Sequence, residues 1–280
     1  MDRTPTAPTN AHRTTHDGST GAATETLRLA VWNANMALHR KLPVLADRLG
    51  PDIAIVPECA NEEILRRKGG RALPEVSMVW KGRLKDKGLA VFGFGDYEVS
   101  LAECYDDRLE WVLPIAVTGP VNFALLAVWA SNHRARIQHP DHVGVPQPAS
   151  ALTVYEDWIR NQTTVLAGDF NHNCVWDKPG QVERNHAETV AAASRAGMVS
   201  IYHEWFDESQ GHESKPTIYW RNRTLDGPAY HIDYIFIPER WSHSVSDMHV
   251  GGFDEWVGSG LSDHVPVLME VCPSGPEPTG

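Results

Sequence analysis

Along the 280-residue chain the first clear pattern of apolar positions is Leu27-Arg28-Leu29-Ala30-Val31-Trp32, which predicts a strand running into Asn33. Leu38, Leu42, Leu45 and Leu49 then recur at helical spacing and stop at Gly50-Pro51, predicting a helix over 38–49. Ile53-Ala54-Ile55-Val56 is a short continuous apolar run, the mark of a buried strand, and it delivers Glu58 at its carboxyl end. From Ser77 to Ala130 the runs are β-rich and separated by glycine and acidic turns: Met78–Trp80, Leu89–Phe92, Trp111–Leu113 with Ile115–Val117, and Phe123–Trp129. A helical period returns around Leu152-Tyr155-Trp158-Ile159. Thr164–Ala167 predicts a strand ending in Gly168-Asp169-Phe170-Asn171, and 186–196 a helix. Ile232-Tyr234-Phe236 and Val265-Val267-Met269 alternate as half-buried strands do. Strand runs interrupted by covering helices predict an α/β layered sandwich.

Hydrophobic residues at 42% and charged residues at 22% are ordinary globular proportions, and the length suits one domain, expected over 26–272. Residues 1–25, rich in Thr, Ala, Pro, Asn and Gly, cannot bury enough apolar area to offset their ordering entropy, so a flexible tail is expected there, with a second tail at 273–280. The formal charge of -11 argues against a general cationic coat for nucleic acid. Local basic strips remain, Lys81 to Lys87 and Arg66-Arg67-Lys68 with Arg71, for which solvated loop or helix surface is the favoured reading over steering of a polyanion. Cys59, Cys104, Cys174 and Cys272 show no zinc-site spacing, and reduced thiols are expected. No apolar run reaches membrane length, and residues 1–25 lack the hydrophobic stretch of a secretory signal, so a cytoplasmic protein without membrane insertion is expected. No obligate protein partner is evident.

Five motifs share one feature, a polar group inside or just after an apolar strand: Trp32-Asn33-Ala34-Asn35, Pro57-Glu58, Gly168-Asp169-Phe170-Asn171, His231-Ile232-Asp233-Tyr234 and Ser262-Asp263-His264. If strand ends converge on one edge, Asn, Glu, Asp and His meet in one cleft, the equipment for metal binding and proton transfer. Taken singly, each motif also reads as a turn or a helix cap. In this order the five together resemble the endonuclease/exonuclease/phosphatase superfamily over roughly residues 27–271. The resemblance implies the deoxyribonuclease-I-like fold: a four-layered α/β sandwich, two packed and mostly antiparallel sheets flanked by helices.

It further implies a hydrolase of phosphate esters dependent on magnesium, with manganese as a substitute. Glu58 would ligate the metal, Asn33 would lie beside both metal and scissile phosphate, and Asp263 would complete the metal or water shell. Asp169 would orient or deprotonate the attacking water, and Asn171 would donate to the developing phosphorane charge. Asp233 would hold one ring nitrogen of His264, leaving the other to face the phosphate as a donor or to serve as a base.

One position departs from that pattern. Trp129 falls where many nucleases of the superfamily have a His or Tyr at the phosphate, and indole is a donor only. Ser131, Asn132, His133, His172 or His231 are candidate substitutes. Asn173 and Trp176 are candidates for lining the substrate pocket together with Trp129, whose ring can stack on a base or sugar. The leading expectation is a nuclease-like phosphodiesterase acting on nucleic acid. The alternatives are a phosphatase or phosphodiesterase for a small-molecule or lipid phosphate ester, and a catalytically silent binding protein.

Overall fold

A computed structural model of the chain describes residues 25–69, 76–130, 146–180 and 185–273. Both expected tails, apart from Glu25 and Pro273, lie outside the described residues, as do Arg71 and the candidates Ser131, Asn132 and His133.

Two six-stranded mixed sheets form the centre. The first contains β1 (Leu27–Val31), β2 (Ile53–Cys59), β3 (Ser77–Leu84), β4 (Lys87–Gly93), β13 (Val245–Val250) and β14 (Val267–Val271), in the order β13-β14-β1-β2-β4-β3. The second contains β5 (Glu98–Leu101), β6 (Val112–Thr118), β7 (Phe123–Trp129), β8 (Thr164–Asp169), β9 (Met198–Ser200) and β12 (Asp233–Pro238), in the order β5-β6-β7-β8-β12-β9. A short hairpin, β10 (Ile218–Tyr219) and β11 (Ala229–Tyr230), is bridged at Ile218 to His264. Each large sheet has one parallel pair, β1 with β2 and β7 with β8; all its other pairs are antiparallel.

The helices are α1 (Glu62–Gly69), α2 (Gln147–Val154), α3 (Glu156–Ile159), α4 (His186–Arg195), α5 (Ile201–Phe206) and α6 (Glu239–Ser242). The period-2 alternation of the second sheet assigns its two faces. Leu125, Ala127, Val165, Ala167, Ile235 and Ile237 join the core shared with the first sheet. The intervening Leu126, Val128, Leu166, Tyr234 and Phe236 pack instead against Ala149, Ala151 and Leu152 of α2 and Ala192 and Ala193 of α4. Two sheets face to face, with helices outside, make the expected sandwich.

The same alternation decides where chemistry can sit. Trp129, Asp169 and Asp233 are register partners across β7, β8 and β12, and each continues the inward-facing parity of its strand. A row of side chains is therefore aimed between the sheets at one end of the sandwich. Fully burying one Leu, Ile or Val contributes ~1.5–3 kcal/mol, and the extensive apolar core offsets the cost of enclosing carboxylates there.

One expected element forms differently. In place of a single helix over 38–49 there is a 3-10 turn at Leu38–Arg40 and a wide helical turn at Val44–Leu49. Pro43 stands in the first turn of the second piece, where its helical φ of -63° fits, but it lacks the N–H that would carry the ladder across from Leu38–Arg40. The leucines still reach the core, as the spacing requires: Leu38, Leu42, Leu45 and Leu49 are all buried.

Candidate active site

Asp169 ends β8 and is fully buried, so its carboxylate needs compensation from the protein. Three N–H groups supply it. Asn33 Nδ2 donates to Oδ2 at 3.0 Å, Asn171 Nδ2 donates to the same oxygen at 3.0 Å, and the Asn171 backbone N–H donates to Oδ1 at 2.9 Å. Asn171 reaches back two residues because its backbone is left-handed, φ 51°, a conformation asparagine tolerates better than most side chains. Gly168 is required just before it: with φ 146°, any Cβ there would lie 2.0 Å from the carbonyl oxygen of Val128 on the parallel neighbour strand.

Asp233 begins β12 opposite Asp169, and its Oδ2 is 2.9 Å from His264 Nδ1. His264 is positioned from the first sheet's side. Ser262 Oγ donates to the Asn33 carbonyl at 2.7 Å and accepts from the His264 backbone N–H at 3.1 Å, tying the His264 loop to the end of β1. One ligand-type atom from each of Asp169, Asp233 and His264 lies within 4.8 Å of the others. The electrostatics follow from this crowding. Burial, then the neighbouring Asp233 charge, push the Asp169 carboxyl up to about 7, against His264 and the amide donors. Burial works to lower the His264 imidazole, but the charge and hydrogen bond of Asp233, with Asp169 and Asp263 adding, outweigh it and raise the ring to about 9.

Glu58 sits at a bulge of β2 against β4, where the register slips between Val56 and Cys59, and its backbone is left-handed at φ 56°. Bulges re-aim side chains, and this one leaves the Glu58 carboxylate partly exposed, 3.2 Å from Lys87 Nζ. Asp263 is likewise partly exposed and pairs with Arg223 at 3.2 Å. Lys41 links the two: burial lowers its ammonium to about 8 while the charges of Asp263 and Glu58 pull it upward. Its Nζ donates to the carbonyls of Ala34 and of Met36, the latter at 3.1 Å. Glu58, Asp263 and Lys41 thus share one electrostatic neighbourhood at the rim, beside the buried Asp169, Asp233 and His264.

The remaining candidates are placed less centrally. Trp129 is 5% exposed, edge-on to Trp111 at 4.9 Å, with Lys87 Nζ 5.5 Å from its ring centre. Trp176 is half-buried and packs on Tyr230 at 4.7 Å. Asn173 does not reach the cleft surface: it is 1% exposed, and its amide serves Glu213, the His231 carbonyl, Tyr234 Oη and the Val175 N–H. His172 and His231, considered as substitutes at the phosphate, are also buried away from it. His172 Nδ1 is 2.7 Å from His186 Nδ1, and His231 Nδ1 is 2.8 Å from the Lys215 carbonyl. With Glu213, pulled down to about 2 by His203, Asn173 and backbone donors despite its burial, they form a polar network under the first turn of β12. Asn173 therefore braces the strand that bears Asp233 and does not line a pocket. Lys41 and Arg223 were missed by motif reading, since an isolated Lys or Arg in a loop carries no local signal. Thr217, whose Oγ1 receives the backbone N–H of both Ile232 and Asp233, was missed for the same reason.

No known family profile and no curated protein matches this sequence. Solved structures do match. An AP endonuclease from Leishmania major superimposes with a TM-score of 0.64 at 14% identity, covering 88% of each chain. A 3' phosphatase from Neisseria, bound to a product DNA hairpin, gives 0.59 at 21% identity, covering 88% of this chain and 99% of the other. An endonuclease/exonuclease/phosphatase from Beutenbergia cavernae DSM 12333 gives 0.54 at 18% identity, covering 89% and 72%. The fold is therefore the deoxyribonuclease-I-like α/β sandwich that these proteins share.

Proposed function

We propose, from that fold and the side chains at the end of its two sheets, that the chain hydrolyses phosphodiester bonds with a divalent metal, magnesium or manganese, in the manner of a nuclease. The observation that carries the reading is the buried Asp169 carboxylate, held by three N–H donors next to the Asp233–His264 pair. Buried titratable groups crowded this closely, with the pKa values of Asp169 and His264 displaced, cluster at functional sites.

Each residue then has one task. Asp169, pushed up to about 7 although its donors favour the anion, orients the attacking water and in its ionised form takes the proton. Each amide NH2 carries two hydrogens, and Asn33 and Asn171 each spend one on Asp169, leaving the second for a phosphoryl oxygen. His264, raised to about 9, is an imidazolium at neutral pH; its Nδ1–H belongs to Asp233 and its Nε2–H donates to the phosphorane oxygen. This favours the donor role for His264 and leaves the base role to Asp169. Asp233 is a positioning residue that fixes the ring.

The donor set fits a hard divalent cation. Glu58 and Asp263 offer partly exposed carboxylate oxygens, now balanced by Lys87 and Arg223, and the Asn33 amide oxygen, just past the end of β1, accepts from the Asn35 N–H and retains a second lone pair. The trio Asp169, Asp233 and His264 is less suited to it, because a protonated ring cannot ligate. When bound, the cation supplies charge neutralisation at the phosphoryl oxygen. Trp129, buried and donor-only, supplies packing and transfers no proton.

The test is incubation of the purified protein with magnesium and single-stranded, duplex and abasic DNA, and with RNA. Cleavage lost in Asp169→Asn and His264→Gln supports the reading, and metal-dependent cleavage of none of them removes it. One observation favours a small-molecule phosphate ester as a second reading. Four basic side chains among the described residues are already matched by acids: Lys87 with Glu58, Arg83 with Glu110, Lys85 with Glu63 and Arg223 with Asp263. Each such pair holds back positive charge that would otherwise follow a polyanionic backbone. Phosphate release from nucleotides, sugar phosphates and inositol phosphates distinguishes it.

A further inference from the structure

A cavity of about 530 Å3 opens at the other end of the second sheet, where β8 begins and β12 ends. Ile159, Met198 and Pro238 give it an apolar floor; Arg160, Arg195 and Arg240 stand around it. The three guanidinium groups come from separate elements, the residue after α3, the last residue of α4, and α6. In a chain of net charge -11, the lining of this concavity holds three arginines and one acid, Glu156.

Their present partners are weak holders. Arg160 pairs with Glu156 at 3.4 Å and Asp157 at 3.0 Å, and Arg195 pairs with Glu188 at 3.0 Å, all with exposed or half-exposed side chains. Solvent-exposed pairs of this kind are readily exchanged for another anion. Arg240 donates to the Thr163 hydroxyl and forms no ion pair with any described residue. One acid, Glu156, lies in the lining itself and is already engaged by Arg160.

The geometry points to a second binding site, unrelated to the catalytic cleft, for a small organic phosphate of mononucleotide size. A tetrahedral phosphate presents several oxygens to planar donor forks arriving from different directions, which a lone carboxylate cannot do. The volume exceeds what inorganic phosphate fills, and the apolar floor suits a ring or other nonpolar body. Thr164 in the lining and Asp169 in the cleft are the two ends of β8, roughly 17 Å apart at strand rise, so occupancy of the two sites can be read separately.

The experiment is calorimetric titration of the full chain with adenosine 5'-monophosphate in chelator-containing buffer, with inorganic phosphate and adenosine as separate arms. The nucleotide is expected to bind, with phosphate and adenosine each weaker by about tenfold or more. The double substitution Arg195→Gln, Arg240→Gln is expected to weaken nucleotide binding by about tenfold or more, while Asp169→Asn leaves it unchanged. Ala196→Glu, which adds a carboxylate at the exposed rim and removes no arginine, is expected to weaken it likewise. The proposal is overturned by absence of nucleotide binding at millimolar concentration, by binding that Asp169→Asn removes and the arginine pair does not, or by phosphate alone binding as tightly as the nucleotide.

Discussion

Asp169 on β8 and Asp233 on β12 are direct register partners with both carboxylates turned into the space between the sheets, and only one of them, Asp233, is joined to the imidazole of His264. Burial, with the Asp233 charge beside it, pushes the Asp169 carboxyl up to about 7, which suits it to act as a base, while Asp233 is committed to the His264 ring.

That division predicts a bell-shaped dependence of kcat/KM on pH. The acid limb follows Asp169 at about 7, since only the carboxylate accepts a proton from water. The alkaline limb follows His264 at about 9, since only the imidazolium donates from both nitrogens. Initial rates across the range check it, and a profile that stays flat through either limb contradicts the assignment of roles. His264→Gln is expected to lower kcat by ~10²–10⁴-fold and to abolish the alkaline limb.

Stability should carry the same signature. The folded-state pKa of His264 is raised from 6.5 to about 9, so the folded state binds a proton more tightly than the unfolded state. This contribution is complete below 6.5 and is lost as pH rises through about 9. Urea midpoints of wild type and Asp233→Asn are therefore expected to differ most at the low end of that window, by on the order of 2–3 kcal/mol, and to converge at its high end. Parallel curves at every pH would show that Asp233 does not stabilise a charged ring.

Gly168 is the least replaceable small residue at the site. Gly168→Ala drives a methyl group into the Val128 carbonyl and adds a side chain at a left-handed φ. A loss of at least ~3 kcal/mol is expected from the denaturation midpoint, together with lower activity as Asp169 shifts. An alanine variant as stable as wild type would mean that β7 and β8 are not in this register.

Chelation tests the rim. Treatment with EDTA is expected to stop hydrolysis, and added magnesium or manganese to restore it. Glu58→Gln is expected to raise the magnesium concentration for half-maximal rate by at least about tenfold, with folding retained because the side chain is partly exposed. Unchanged metal dependence in that variant would remove Glu58 from the metal site.

Trp129 separates packing from chemistry. Trp129→Phe keeps most of the buried contact with Trp111 and is expected to alter kcat less than about threefold, whereas Trp129→Ala opens a cavity costing ~3–5 kcal/mol. A large fall in kcat for the phenylalanine variant at full stability would show that the indole N–H takes part in the reaction.

The sequence by itself carried the strands and the polar residues at their ends, because both depend on short-range pattern. Alternation along Phe123–Trp129 and Thr164–Asp169 already fixes which side chains share a face, and the sheets form with that parity. The leucine spacing over 38–49 announced burial correctly but not the interruption ahead of Pro43, whose missing N–H cannot carry the ladder back to Leu38–Arg40. Partnerships were another matter. Asn33 donating to Asp169 across 136 positions, Ser262 clasping the Asn33 carbonyl across 229, and Lys41 placed between Glu58 and Asp263 are consequences of how two sheets close on each other. Asn173 shows the limit plainly: its motif puts it next to the site, and tertiary packing turns its amide inward to Glu213 and Tyr234. Local propensity acts over a few residues, whereas hydrogen-bond satisfaction and desolvation of a buried carboxylate are settled only when distant segments have excluded water together.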